Sequence, residues 1–266
     1  MHRVAVAGAA GRMGRTVVKA VVDDPETELV AAVDPQGAGQ DAGDLAGAGQ
    51  VGVPISATLE EALGNSQVSV LVDFTRAASA HENAVTALRA GVSPVIGTTG
   101  LSDEQLNEIR GEAKNAGIGA FLAPNFAIGA VLMMLFARQA AKYLPEVEII
   151  EFHGPQKLDA PSGTAMRTLD FIREGRGKPE AVRPEKEHFL LQGARGGDAE
   201  GIKVHSVRLP GYVAHQECLF GGLGQTLTIR HDSTDRLSFM PGVLLACKRV
   251  RGLKGLVVGL EHLLDL

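Results

Sequence analysis

The sequence has no tryptophan, two tyrosines and nine phenylalanines, so aromatic residues make up only 4% of its 266 residues. Proteins that bind single-stranded nucleic acid stack bases on aromatic side chains, and most nucleic-acid binders carry a basic surface. Here 26 Lys and Arg stand against 31 Asp and Glu, which gives a net charge of −5. A nucleic-acid partner is therefore not expected.

Cysteine and long apolar runs are also scarce. Cys218 and Cys247 are too few for a disulfide framework, and no pair has the spacing of metal ligands. The longest apolar run, Phe126–Ala137, is about half of the roughly 20 residues that a membrane span needs. The N-terminus leads directly into an apolar strand pattern, unlike a signal peptide. These features predict a reduced, cytoplasmic setting without membrane association.

From residue 1 to about 124, short apolar runs alternate with helical stretches. Such alternation predicts a parallel sheet covered on both faces. Ser102 and Gln105 have the spacing of a helix capping box. The predicted strands are Arg3–Gly8, Glu28–Asp34, Val68–Phe74, Ser93–Gly97 and Gly117–Ala123, and the predicted helices are Arg12–Val22, Ala77–Ala90 and Ser102–Ala116.

After residue 125 the pattern changes. A helix (Ile128–Tyr143), a strand (Glu146–His153) and a second helix (Pro161–Glu174) precede three closely spaced strand-like runs, Ile202–Leu209, Tyr212–Phe220 and Gln225–His231. Successive strands without intervening helices predict an antiparallel or mixed sheet. We therefore expect an α/β protein with a first domain over 1–125, and a second, α+β domain over 126–236. The last segment, 237–266, has a helical period and is expected to rejoin the first domain.

One stretch is predicted as a loop, and a second is predicted to contain long loops. Pro35–Pro54 contains six glycines, which predicts a mobile loop. Arg173–Gly201 is rich in Gly, Pro and charge, and its charge run Arg183–Glu187 reads as a solvated loop.

The turn between the first strand and the first helix has glycines at Gly8, Gly11 and Gly14. Glycines allow a tight turn and a close approach to a pyrophosphate, and the helix start offers free N–H groups. Asp34 closes the second strand, where an acid binds the adenosine ribose hydroxyls. A glycine-rich turn of another α/β protein is the alternative, but the context favours a Rossmann-type dinucleotide-binding domain.

Two further strand ends belong to the same edge of the predicted sheet. Gly97, Thr98 and Thr99 follow the fourth strand, and Ala123, Pro124, Asn125 and Phe126 follow the fifth. Ligands of open parallel sheets bind outside the carboxyl ends of the strands. Each segment alone would be an ordinary turn, but their shared position favours a role at the nicotinamide ribose.

The segment from Glu151 to Ala165 carries the densest chemistry. His153 can transfer a proton near neutral pH, and Lys157 adds positive charge. Ser162 is placed to cap a helix whose first turn would bind an anion. The segment therefore suits a carboxylate substrate that needs a proton. The alternative, a capped helix with a solvated lysine and a paired histidine, fits the segment alone equally well.

The pattern HxxxKxDAPSGTA, found downstream of GxxGRMG, GTTG and APNF, resembles the 4-hydroxy-tetrahydrodipicolinate reductase (dihydrodipicolinate reductase) family over essentially the whole chain. The resemblance implies NADH- or NADPH-dependent reduction of a cyclic imine dicarboxylate in the diaminopimelate/lysine pathway, without a metal. It also implies a homotetramer whose second domains share a sheet.

The resemblance also implies roles for individual residues. His153 and Lys157 would handle the proton, and Gly163 and Thr164 would bind a substrate carboxylate. The cofactor residues would be Gly8, Ala9, Ala10, Gly11, Arg12 and Met13 at the pyrophosphate, Asp34 at the adenosine ribose, and Gly97, Thr98, Thr99, Ala123, Pro124, Asn125 and Phe126 at the nicotinamide end.

One position departs from the family. A second histidine, a substrate contact, usually follows the first, and here Gly154 stands there. This departure is the one feature that favours a nucleotide-sensing binding protein on the same fold. A reductase of another cyclic imine carboxylate is the other alternative.

Two smaller points complete the sequence predictions. His215, Glu217 and His205 could suggest a metal, but their loose spacing favours structural pairs. No Arg or Lys directly follows Asp34 to bind a 2′-phosphate, so NADH is expected to serve at least as well as NADPH, unless Arg12 or Arg15 compensates.

Overall fold

The computed structural model describes residues 1–64, 67–176 and 188–265. The described chain forms two compact units, one of Met1–Ile128 with Arg236–Leu266 and one of Gly129–Asp235. The predicted charge run Arg183–Glu187 lies outside the described residues.

The first unit is built on a seven-stranded parallel sheet with the order β12-β6-β5-β4-β1-β2-β3. Its strands are β1 (His2–Ala7), β2 (Thr27–Val33), β3 (Ile55–Ser56), β4 (Val70–Asp73), β5 (Ser93–Ile96), β6 (Gly119–Leu122) and β12 (Gly255–Val258). All four residues of β4 and of β5 are buried. Burial on both faces explains why these strands read as continuous apolar runs.

Helices accompany this sheet. Ser102 and Gln105 form the predicted capping box at the start of α5. The helices of the first unit are α1 (Arg12–Asp23), α2 (Ala42–Ala46), α3 (Leu59–Gly64), α4 (Ala77–Arg89), α5 (Asp103–Ala116) and α8 (Met240–Arg249), with 3₁₀ turns at Arg236–Phe239, Val250–Gly252 and Leu260–Leu263.

The interpretation of Pro35–Pro54 as a mobile loop without structure is wrong. It contains α2, whose N-cap is Asp41. The Asp41 carboxylate accepts hydrogen bonds from five backbone N–H groups, those of Gly43, Asp44, Val51, Gly52 and Val53, at 2.8–3.2 Å. One half-buried acid thus orders a stretch whose glycine content alone predicts flexibility.

The helical prediction for 237–266 is only half right. Helix α8 is present, but Gly255–Val258 forms β12, which pairs with β6 at the edge of the sheet. Glycines with positive φ, Gly255 and Gly259, bound this four-residue strand. Such a short segment can match a helical period by chance, whereas its backbone pairing is set by β6.

The second unit holds a mixed five-stranded sheet with the order β11-β10-β7-β9-β8, in which only β7 and β9 are parallel neighbours. Its elements are α6 (Ile128–Ala140), β7 (Glu146–His153), α7 (Gly163–Gly175), β8 (Gly197–Ala199), β9 (Ile202–Arg208), β10 (Ala214–Gly222) and β11 (Gln225–Ser233). The core joins one sheet face, including Ile149, Val204 and Cys218, to α6 and α7. The predicted α+β organisation of this part is confirmed.

No helix within the described residues has the length and apolar character that crossing a membrane requires.

Candidate active site

The glycine-rich turn lies between β1 and α1 and is packed too closely for side chains. A Cβ on Gly14 would lie 1.8 Å from the Gly8 carbonyl oxygen, and Gly8 itself has φ +79°. Gly11 is the N-cap of α1, and no side chain caps that helix start. Backbone N–H groups of the first helical turn are therefore available to an anion. The turn fits the pyrophosphate of a dinucleotide.

Asp34 follows β2 and contacts this turn. Its Oδ2 accepts a hydrogen bond from Ala10 N at 3.0 Å, and its Oδ1 accepts one from Gln36 N at 2.9 Å. A carboxylate has about four lone-pair sites, so capacity remains for ribose hydroxyls. The structure thus brings the turn and the predicted ribose-binding acid together.

The other predicted strand-end residues follow β5 and β6. Gly97 is fixed as glycine because a Cβ there would lie 2.2 Å from the Phe74 ring. Thr99 is exposed, whereas Thr98 is buried and its hydroxyl donates to Asp73 Oδ1 at 2.9 Å. Phe126 is buried against Phe74 and Phe121. The buried side chains of Thr98 and Phe126 therefore support this edge of the sheet from beneath its surface.

Sequence reasoning missed the residues at the carboxyl end of β4. Asp73 is buried and accepts hydrogen bonds from Thr98, Thr75 and Asn83. Thr75 N in turn donates to Thr98 Oγ1 at 2.9 Å. The only sequence signal is an acid at the end of an apolar strand, as at Asp34. This network holds the ends of β4 and β5 in fixed register.

A groove of about 550 Å³ runs along the carboxyl ends of β1, β2, β3 and β4 within the first unit. Three acids, Asp34, Glu60 and Glu82, line it together with one base, Arg76. Other lining residues include Gly8, Gly11, Phe74 and Thr75. The groove thus combines the glycine turn with a net negative lining.

The second unit holds the predicted proton-handling pair. His153 ends β7, and its Nδ1 is hydrogen-bonded to the Glu151 carboxylate. Lys157 Nζ pairs with Asp159 Oδ1, and this ion pair lowers the pKa of Asp159. The peptide bond Ala160–Pro161 is cis. His153 and Lys157 therefore lie on one short stretch that runs from the end of β7 towards α7.

Helix α7 begins next to this stretch. Ser162 is its N-cap, as predicted, and Ser162 Oγ accepts from Ala165 N at 3.2 Å. Gly163 and Thr164 form the start of the first turn, and no acidic residue lies in that turn. The positive end of the helix dipole favours a carboxylate there.

Gly154 does not have the positive φ that requires glycine, and a Cβ there would have one neighbouring atom within 4 Å. A Cβ at this position would lie 3.2 Å from the Tyr212 carbonyl oxygen, closer than normal contact. A histidine at 154 would therefore require Tyr212 to shift by a few tenths of an ångström.

The three residues considered as metal ligands each have a separate partner. His205 pairs with Glu148, His215 with Asp232, and Glu217 with Arg230. β7 lies between the strands of His205 and Glu217, which both align with Ile150. Within the described residues no group of three or more His, Cys, Asp or Glu side chains is placed to hold a metal ion.

Comparison with known proteins identifies the family. Residues 2–126 match the family model described as "Dihydrodipicolinate reductase, N-terminus", and residues 129–264 match "Dihydrodipicolinate reductase, C-terminus". The chain belongs to the dihydrodipicolinate reductase family.

Individual relatives of the family align over 98% or more of their length. A 4-hydroxy-tetrahydrodipicolinate reductase of Desulfitobacterium hafniense is 51% identical and covers 99% of this chain and 98% of its own. One from Halalkalibacterium halodurans is 52% identical and covers 100% of both. The solved dipicolinate-bound dihydrodipicolinate reductase from Paenisporosarcina sp. TG-14 is 46% identical, covers 99% of this chain and 100% of its own, and has a TM-score of 0.88.

Family membership confirms the predicted class of protein. Like the other dihydrodipicolinate reductases, the chain is an NAD(P)H-dependent oxidoreductase with a Rossmann-type domain and a second, mixed-sheet domain, and it belongs to lysine and diaminopimelate biosynthesis. The reading as a binding protein without enzymatic activity is correspondingly disfavoured.

Proposed function

We propose that this chain reduces 4-hydroxy-tetrahydrodipicolinate to tetrahydrodipicolinate, with loss of water. The observation that carries the proposal is the joint presence of His153, Lys157 and the α7 start on one stretch of the second unit. When bound, the reduced nicotinamide supplies the hydride that is added at C4 of the substrate.

The residues of the second unit bind the dicarboxylate and move the proton. The amides of Gly163 and Thr164 at the α7 start receive one carboxylate, and the Lys157 ammonium adds a charge-assisted contact. The carbon next to C4 receives a proton from His153 or Lys157. Asp159 holds Lys157 in place until the substrate carboxylate competes for it.

The first unit binds the nucleotide. The turn Gly8–Met13 receives the pyrophosphate, Asp34 the adenosine ribose, and the segments 97–99 and 123–126 the nicotinamide end. NADH serves at least as well as NADPH, because the groove lined by Asp34, Glu60 and Glu82 repels a 2′-phosphate more than Arg76 attracts it.

The enzyme acts as a homotetramer in the cytoplasm. Both cysteines are buried and unpaired, which suits a reducing compartment. The nine-residue strand β11 is the edge of the mixed sheet, with Gln225–Thr228 exposed.

The test is turnover of Lys157→Ala, with substrate made in situ by the upstream synthase and nicotinamide absorbance as the readout. We expect turnover to fall by at least about a hundredfold, the lower range of acid–base effects. NADH binding, followed by the fluorescence of NADH itself, should persist, because the nucleotide residues belong to the other unit.

Lys19→Ala is the matched control, because it removes an exposed lysine from another Lys–Asp pair, with Asp23. It should retain wild-type turnover. Near-normal turnover of Lys157→Ala would remove Lys157 from the mechanism. Absence of turnover in the wild-type protein, with NADH still bound, would instead support the nucleotide-binding alternative.

A further inference from the structure

The side chain of Glu151 is a buried carboxylate that is hydrogen-bonded to His153. Glu151 lies two residues earlier on β7, so both side chains are on the same sheet face. Its side chain is 0% exposed. It accepts hydrogen bonds from His153 Nδ1, from Arg208 Nη2 at 2.7 Å, and from the Ser206 hydroxyl. An ionised acid is tolerated at such a position only when donors of this kind surround it.

Strand register produces this arrangement. β7 and β9 run parallel with Glu151 aligned to Ser206 and His153 aligned to Arg208. Burial by itself raises the pKa of the Glu151 carboxyl, but the hydrogen bonds from His153, Arg208 and Ser206 outweigh it and lower the pKa to about 2. Glu151 is therefore a carboxylate at neutral pH.

Arg208 connects Glu151 to the stretch that carries Lys157. The same Nη2 that contacts Glu151 also donates to the Asp159 carbonyl oxygen at 2.7 Å, and Nη1 donates to the Val207 carbonyl oxygen at 2.8 Å. Leu209 N donates to the His153 carbonyl oxygen at 3.0 Å. The backbone at both ends of the 153–159 stretch is thus tied to β9 around one carboxylate.

We infer that Glu151 is a positioning residue that acts through His153, an inference that rests on the proposed role of His153 in proton transfer. An ionised carboxylate only accepts hydrogen bonds, so the His153 Nδ1 must carry a proton in both the neutral and the charged ring. Proton exchange with the substrate is thereby assigned to Nε2. Arg208 holds Glu151 in place, and Lys157 is left for the substrate carboxylate.

The direct test is the tautomer of His153 in the wild-type enzyme, measured by long-range ¹H–¹⁵N correlation of the imidazole rings. The signals of His153 are identified among those of the eight histidines because they are absent from the spectrum of His153→Gln. We expect neutral His153 to be protonated on Nδ1. Protonation on Nε2 would overturn the inference, and this result needs neither activity nor a Glu151 variant.

The second test is Glu151→Gln, whose amide can donate as well as accept. We expect the Nδ1–H preference to be lost and kcat to fall at least about tenfold, with the substrate KM changed less than about threefold. An unchanged tautomer or an unchanged kcat in this variant would overturn the inference.

Glu148→Gln is the matched control. Glu148 lies on the same strand and accepts from His205 at 2.8 Å and Arg195 at 2.6 Å, in a similar carboxylate–histidine–arginine group on the opposite face. It should retain kcat and the His153 tautomer. An equal loss of kcat in both variants would assign the effect to the sheet and overturn the inference. A wild-type enzyme inactive on the proposed substrate would refute the proposed function while leaving the tautomer measurable.

Discussion

The glycines of this chain differ in whether their surroundings leave room for a side chain. At Gly14 and Gly97, a Cβ would collide with backbone or ring atoms, so the glycine is required by space. Gly154 differs, because the nearest atom to a Cβ there is the Tyr212 carbonyl oxygen at 3.2 Å. The fold therefore demands a glycine at 154 far less than it does at positions 14 and 97.

Gly154→His is expected to lower the substrate KM with little change in kcat. An added charge-assisted hydrogen bond to a carboxylate is worth about 1.5–3 kcal/mol, roughly ten- to a hundredfold in affinity, and the shift required of Tyr212 reduces that gain. The pattern is that of uniform binding, stronger for substrate and transition state alike. Steady-state kinetics of the reductase reaction measures it.

Gly154→Ala separates the ring from the crowding, because it adds only the Cβ near Tyr212. KM should not fall in the alanine variant. A wild-type protein that turns over no substrate, together with a histidine variant that does, would show that Gly154 marks lost catalysis.

The choice between NADH and NADPH also depends on individual charged side chains. We predict kcat/KM with NADH at least equal to that with NADPH, because Glu60 and Glu82 add to the negative charge of Asp34 in the groove. The variant Glu82→Gln should shift the ratio towards NADPH by about two- to fivefold at low salt, as expected for one charge at about 8–10 Å in water.

The same charge change at a residue that does not line the groove is the control. Glu104→Gln on α5 should leave the NADH/NADPH ratio unaltered, and the effect of Glu82→Gln should shrink in 1 M salt because screening shortens to about 3 Å. A wild-type preference for NADPH at physiological salt would contradict the prediction.

The residues that sequence reasoning found differ physically from those it missed. Glycines, Ser162 and Asp34 lie where chain direction changes, and local rules apply there. Asp73, Glu151 and Arg208 depend on partners from neighbouring strands or from the turns that follow them, such as Thr98 for Asp73 and Arg208 for Glu151. Their roles follow from strand register, which a single sequence does not specify.

At the scale of elements, the apolar strands of the first sheet and the amphipathic helices were predictable, and some short elements were not. β7 was predicted with its observed bounds, Glu146–His153. By contrast, β3, α2 and β12, of two to five residues each, were not predicted. Their conformation is set by neighbours, β2 and β6 for the strands and Asp41 for the helix.

Asp41→Ala is expected to release the segment 42–53 without unfolding the first sheet. Five N–H groups lose their common acceptor. Hydrogen exchange should therefore accelerate at Gly43, Asp44, Val51, Gly52 and Val53, and not in β1 or β4. Hydrogen–deuterium exchange resolved by peptide measures the change.

The pH dependence of this segment has a definite sign. Hydrogen bonds from Asp44, Val51, Gly52 and Gly43 lower the pKa of Asp41 below its ordinary value, although desolvation acts in the opposite direction. A depressed pKa means that the order is present above the ordinary value near 3.8 and is lost as pH falls through the folded-state pKa.

The neighbouring acid provides the control for Asp41. Asp44→Ala removes a carboxylate from the first turn of the same helix, α2, while leaving the Asp41 hydrogen bonds in place. Exchange at the five N–H groups should stay close to wild type. Equal acceleration in both variants would assign the effect to α2 in general and contradict the specific role of Asp41.

At the scale of the whole molecule, the mixed sheet has one face and one edge with little cover. Helices α6 and α7 pack on the face of Ile149 and Cys218, whereas Ile150, Phe152 and Leu219 on the other face are only partly buried. Within the described residues, β11 pairs with β10 alone. Exposed sheet edges and faces of this kind favour association with further strands.

We expect light scattering of the wild-type protein to give a mass of about 112 kDa, that of a homotetramer of four 27.9 kDa chains. Substitution of Thr226 and Thr228, both exposed on β11, by lysine should dissociate it, because unpaired charges on a sheet edge oppose pairing. The exposed Asn115→Lys on α5 adds the same charge in the first unit and should remain tetrameric. A monomeric wild type, or a tetramer indifferent to the lysines on β11, would show that this sheet is not the shared surface.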